Sequence, residues 1–152
     1  MTVPVTAAFD IFELTSPATA IAKIKEIVCG ISGTADFGDA QAEGLDVQFL
    51  KGTGTTNSGS GGTTPTGTKH EDSDPAAAVT VEASNTTVDS TATLTTMRNE
   101  PFNVQMGFRY TPPDGLEYRM APSTRFIVRL PAGPASAFTA TWHASITWEE
   151  IG

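Results

Sequence analysis

The chain has 152 residues, 39% hydrophobic, 17% charged and 8% aromatic, with 17 acidic against 9 basic side chains for a formal charge of −8. That length suits a single domain, residues 1–152, with enough apolar mass for a real core. The acidic balance argues against nucleic-acid binding by phosphate neutralisation, and no window approaches the ~20 apolar residues of a membrane helix.

Residues 1–14, MTVPVTAAFDIFEL, lack the basic segment and long apolar run of a secretory signal, so synthesis in a cytoplasm is expected. Within them, 5–14 read as a first strand, closed by a turn at Ser16-Pro17. The block AIAKIKEIVCGIS has near-helical spacing at Ile21, Ile24 and Ile27/Val28, but its β-branched content and missing caps favour a strand. Lys23, Lys25 and Glu26 can then sit at an exposed edge, and whether the strand is central or edge stays open. Cys29 is the only cysteine, so no intrachain disulfide is possible, and it reads as a small buried hydrophobe.

Residues 32–40 form a turn-rich connection, after which Leu45, Val47 and Phe49 alternate with Asp46 and Gln48 as a half-buried strand. Residues 53–78, TGTTNSGSGGTTPTGTKHEDSDPAAA, hold almost no apolar side chain larger than alanine. So polar a stretch buries too little surface to offset its conformational entropy, and is expected to project as a mobile loop. A short strand follows at 79–84, and Leu94 and Met97 fall in a less regular connection ending at Pro101.

Alternation is cleaner in the second half. Phe102, Val104, Met106, Phe108 and Tyr110 share one face of an expected strand, TPPDG at 111–115 is a turn, and Leu116, Tyr118 and Met120 resume the pattern. RFIVRL at 125–130 directs Phe126, Val128 and Leu130 inward and Arg125 and Arg129 outward. A long last strand carries Phe138, Ala140, Trp142, Ala144, Ile146 and Trp148 on one face. About eight strands without a βαβ rhythm predict an all-β, antiparallel, jelly-roll-like sandwich.

No reactive constellation emerges. His70 stands beside Glu71, Asp72 and Asp74 in the polar loop, where a solvated acidic patch is the simpler reading than a metal site. His143 falls on the polar face of the last strand. Asp36 and Asp39 lack further oxygen ligands for calcium, and SGSGG lacks the lysine of a phosphate loop. Asn85-Thr86-Thr87 matches the glycosylation acceptor pattern. Trp142 and Trp148 share a strand face, either as core or as an aromatic platform for sugars. No catalytic residue, cofactor or metal is implied.

SGSGGTTPTGT at 58–68, VEASNTT at 81–87, FNVQMGFRY at 102–110, RFIVRLPAGPA at 125–135 and WEEIG at 148–152 together resemble a group of small virion accessory proteins of tailed bacteriophages. The resemblance implies a non-enzymatic decoration or cement protein on the capsid surface, self-associating, with a trimer favoured, and bound to the major capsid protein where capsomers meet. It carries no site motif. The N-terminal arm, with Val3, Val5 and Thr6, is then a candidate for adding a strand to a neighbour's sheet edge. A receptor- or carbohydrate-binding module of a tail or fibre, using Trp142 and Trp148, is the alternative.

Overall fold

The computed structural model describes residues 7–32, 44–54, 56–90, 93–134 and 141–152. Val3, Val5 and Thr6, the Asp36/Asp39 turn, and Phe138 and Ala140 lie outside them. Nine strands and no helix are present among the described residues: β1 Phe9–Thr15, β2 Ile21–Ser32, β3 Gly44–Thr53, β4 Thr80–Asn85, β5 Leu94–Asn103, β6 Phe108–Tyr110, β7 Arg119–Met120, β8 Thr124–Leu130 and β9 Thr141–Ile151. They form two antiparallel sheets packed as a sandwich. One sheet runs β4-β1-β8-β3-β5; in the other, β2 is flanked by β9 on one side and by β6 and β7 on the other.

Period-two patterning explains why these segments are strands. Ala22, Ile24, Ile27 and Cys29 of β2, Leu45, Val47 and Phe49 of β3, and Phe126, Val128 and Leu130 of β8 are all buried in the core. Phe49 is its aromatic hub, meeting Phe108, Tyr110 and Tyr118 edge-on at centroid distances of 5.8, 5.1 and 5.8 Å. The block at 21–32 is a strand as its β-branched residues indicate, but it is central rather than an edge. Lys23 and Lys25 instead reach across to Glu149 at 3.6 and 3.1 Å, helped by a register shift between Ile24 and Glu26.

Three expectations are corrected. Leu94 and Met97 belong to β5, a full strand paired with β3. Its alternation is faint because it is an outermost strand, and there Pro101 leaves no central ladder bond unmade. Residues 102–110 are two strands in different sheets: the Asn103 side chain accepts from the Gln105 N–H, its carbonyl accepts from Met106 and Gly107, and Gly107 has φ +72°. This turn leaves Met106 86% exposed instead of inward. Leu116 is likewise exposed, next to the Pro113–Leu116 turn with Gly115 at φ +84°.

The polar stretch at 53–78 does not simply project. Ser60 exchanges both backbone hydrogen bonds with Thr87 (2.9 and 3.0 Å), and Thr63 does so with Ala83 (both 2.8 Å), so 60–63 borders the outer edge of β4. Its glycines serve close approach. A Cβ on Gly59 would stand 2.5 Å from Asn85 Nδ2, and one on Gly62 would collide with the Ala83 carbonyl oxygen. Gly62→Ala is therefore expected to destabilise by about 1–3 kcal/mol, whereas Gly44→Ala, with open space around it, should change little. Equal urea midpoints for the two variants would refute the close-approach account.

Candidate functional site

Two features concentrate polar chemistry, and they differ in access. The first lies on the outer face of the five-stranded sheet. A bulge at Ile11 between Asp10 and Phe12 re-phases β1, so Asp10 and Glu13, three apart in sequence, both face outward, opposite Arg129 and Ile127 of β8. Arg125 and Arg129 also point outward as the alternation requires, but they are not solvent-facing: their side chains are 3% and 13% exposed.

These charges are consumed in one network. Arg129 grips Asp10 through Nε–H to Oδ1 (2.5 Å) and Nη2–H to Oδ2 (3.1 Å), and also donates to the Asp89 carbonyl (2.7 Å). Arg125 pairs with Asp89 Oδ2 (2.6 Å) and Glu13 Oε1 (3.2 Å), and donates to the Thr56 carbonyl (3.3 Å). The cover closes over them: Ser58 Oγ–H and Gly59 N–H donate to the two Glu13 oxygens at 2.7 and 2.9 Å, and the Asp89 N–H donates to Asp10 at 2.7 Å. Burial raises the pKa of Asp10 and Glu13 above the ordinary carboxylate range, outweighing the stabilising bonds from Arg129 to Asp10 and from Ser58 and Gly59 to Glu13.

Clustered carboxylates with raised pKa are what acid–base catalysis uses. Here, however, Asp10, Glu13 and Asp89 are each 0–1% exposed and their oxygens are taken by guanidinium, hydroxyl and backbone donors. No substrate atom can reach them, so this constellation is a staple between sheet and cover. Sequence reading missed it because period two names a face and not what covers it.

The second feature is the margin where β4 and β9 approach. A cleft of about 410 Å³ has Phe12 and Val81 of one sheet as its floor, Ala144–Trp148 of β9 along one wall, and Pro65–Thr68 with His70 along the other. A second hollow, about 680 Å³, continues it past Trp148 toward Lys25 and Asp74, with Ala76, Ala77 and Glu150 at its side. Trp148 is half-buried: its indole N–H donates to Glu150 Oε1 (2.9 Å) and its ring lies against Gly67, where a Cβ would come within 2.9 Å. Burial acts to raise the Glu150 pKa but is outweighed by the bonds from Trp148, Ala78 and Val79, which hold it lowered. Those backbone N–H groups reach Glu150 at 2.9 and 3.0 Å, anchoring the far end of the polar loop to β9.

The other candidates fall as follows. Trp142 is 3% exposed and belongs to the core, so a two-ring platform with Trp148 does not form. Cys29 is buried, its thiol pushed up to about 12 by desolvation. Asn85 is 1% exposed and bonded to Glu82, which closes its amide to a glycosylation enzyme. His143 is exposed and shares a 2.7 Å hydrogen bond with Ser32. His70 lines the cleft, and among the described residues no group of three or more His, Cys, Asp or Glu side chains is placed to hold a metal ion. No helix is long and apolar enough to cross a membrane among those residues. No family model matches the chain, and no match was found among curated proteins or solved structures.

Three outcomes follow from this geometry. Arg125→Ala, which strands Glu13 and Asp89 beneath their cover, should cost about 3–5 kcal/mol in urea denaturation; a loss below 1 kcal/mol would show the network to be solvated. Acrylamide should quench Trp148 and spare Trp142, so Trp148→Phe removes the accessible emission, and persistence of that emission would contradict the burial of Trp142.

The third outcome is a pH dependence with two opposing arms. Asp10 and Glu13 hold protons more tightly when folded, so their contribution is complete below the unfolded values near pH 4 and is lost as pH rises through the raised folded ones. Glu117, lowered to about 2 by its 2.8 Å bond from Lys25, and Glu149, lowered by Lys25 and Lys23, contribute above about pH 4.5 and lose that contribution as pH falls. Glu117→Gln should therefore flatten the decline in urea midpoint between pH 4.5 and 2; superimposable profiles would count against it.

Proposed function

We propose that the protein is a non-enzymatic structural component of a phage virion, decorating and stabilising the capsid by binding the major capsid protein at capsomer junctions. The sequence resemblance across five segments supports this. In the structure, the observation that carries it is where unused adhesive groups lie. The buried charges are spent internally, whereas Met106 (86% exposed) and Leu116 (70% exposed) stand on the turns before and after β6, on the margin opposite β9. Large apolar side chains held out on turns of a rigid sandwich suit insertion into a partner's pockets, where a few anchors supply most of the affinity.

A decoration protein acts by mass action, adding buried area to each junction and opposing shell dissociation. It is made in the host cytoplasm and comes to rest on the capsid exterior, with no role for nucleic acid, membrane or cofactor. The carbohydrate-binding alternative keeps only Trp148, since Trp142 is in the core.

Mature shells lacking this protein should bind it saturably and gain heat resistance in cosedimentation assays. Met106→Glu and Leu116→Glu should each weaken binding about tenfold or more, equivalent to about 1.4 kcal/mol, with unchanged urea midpoints. Failure to bind shells removes the proposal; binding that ignores both substitutions moves the contact elsewhere.

A further inference from the structure

The two sheets are unequal in width. Among the described residues the wider one is five strands across, while beside β2 the other has β9 on one flank and the short β6 and β7 on the other. The 410 Å³ cleft is lined by Phe12 and Val81, by Pro65–Thr68 and His70 of the polar loop, and by Ala144–Trp148 of β9. Among the described residues β9 pairs with β2 alone. A strand edge with no partner strand among the described residues offers N–H and C=O groups at strand spacing, and an apolar floor takes every second side chain. A row of backbone donors and acceptors beside an apolar floor suits an extended peptide better than a sugar ring.

We propose that this cleft accepts the N-terminal segment Thr2–Thr6 of a second copy as an added strand on β9. The sequence TVPVT places Val3 and Val5 on one face and Thr2, Pro4 and Thr6 on the other. Two β-branched apolar residues at period two suit a floor of Phe12, Val81 and Ile146. Five residues of strand span roughly 17 Å, the length of the Ala144–Trp148 wall. Pro4, lacking an N–H, belongs where that bond is not required, as on the side of an added strand that faces the loop.

A second copy is favoured over the same chain by the link to β1. The Ala7 carbonyl accepts from Gly133 N–H (2.8 Å), and Phe9 already pairs with Leu130, so β1 is committed to its direction at once. Folding the arm back along its own body needs a tight reversal at Ala7-Ala8, which has none of the Gly, Asn, Asp or Pro that reversals use. Exchange of an arm into a neighbour is a head-to-tail contact that closes into a ring when the rotation permits, as a trimer does. The inference rests on the oligomeric decoration reading but concerns the isolated protein, so it can fail while shell binding stands, and the reverse.

The test uses the full chain, a variant lacking residues 1–6, and the acetylated peptide TVPVT. The full chain should self-associate in sedimentation at high micromolar concentration. The truncated variant and Val3→Asp/Val5→Asp should sediment as monomers with unchanged urea midpoints. Adding peptide to the truncated variant should shift the emission of Trp148 and protect it from acrylamide, an effect absent in Trp148→Phe. Self-association that survives truncation or the double substitution overturns the proposal, as does an emission unmoved by millimolar peptide. A monomeric full chain whose Trp148 is shielded only when residues 1–6 are present also overturns it, by placing the arm in its own cleft. Emission shifted by a panel of oligosaccharides and not by the peptide overturns it in favour of a sugar site.

Discussion

Placing two arginines on the outer face of β8 constrains most of what surrounds that sheet. A guanidinium cannot be covered by apolar chain, since an unpaired buried charge costs several kcal/mol. Arg125 and Arg129 are both covered, so the cover must be polar, acidic and close enough to accept their hydrogen bonds. It supplies Ser58 and Gly59 to Glu13, Asp89 to Arg125, and the carbonyls of Thr56 and Asp89 to the two guanidinium groups. The composition of residues 53–63 follows from that demand. A segment with almost no apolar side chains is what a charged sheet face needs above it, and its glycines let backbone reach side chains that a Cβ would block.

Edge control follows the same division. The outer edge of β4 is bordered by 60–63, whose hydrogen bonds to Ala83 and Thr87 occupy groups that would otherwise invite another chain. On the other side of the same margin, the loop is tied to β9 by a side chain, Glu150, rather than by a backbone ladder. One polar segment thus blunts one edge and leaves a gap beside the next. At the opposite margin, Arg98 lies 4.8 Å above the Tyr110 ring and pairs with Glu100, filling the space between β5 and β6.

What was readable in the sequence depended on whether one face of a strand meets the core and the other meets water. β9 satisfies that, and Trp142, Ala144 and Ile146 line the inward face as alternation indicates. β5 does not, because an outermost strand with few buried residues has little pattern to show. At 102–110 the alternation was real but discontinuous in space: Asn103 and Gly107 turn the chain between sheets, and only their turn chemistry signals it. At β8 alternation names the outward face of Arg125 and Arg129 but not what covers it, because the acids that meet the arginines sit some 36 to 119 residues away. Ion pairs at such separations leave no local trace, and the glycine-rich string that completes them resembles a flexible linker.

The bulge at Ile11 shows how closely charge and register are joined. Arg125 and Arg129 are four apart on a regular strand and share a face; Asp10 and Glu13 are three apart and would not. The extra residue in β1 brings both acids under both arginines while Phe12 and Leu14 stay in the core, opposite Val128 and Phe126. A slip by one residue would turn Phe12 and Leu14 out and the carboxylates in, losing apolar burial and stranding two guanidinium groups together. Buried ion networks are seldom more stabilising than a well-packed apolar replacement. Their effect here is to widen the gap between the correct pairing of β1 with β8 and every neighbouring one, which gives the sandwich one register and the polar cover one place to close.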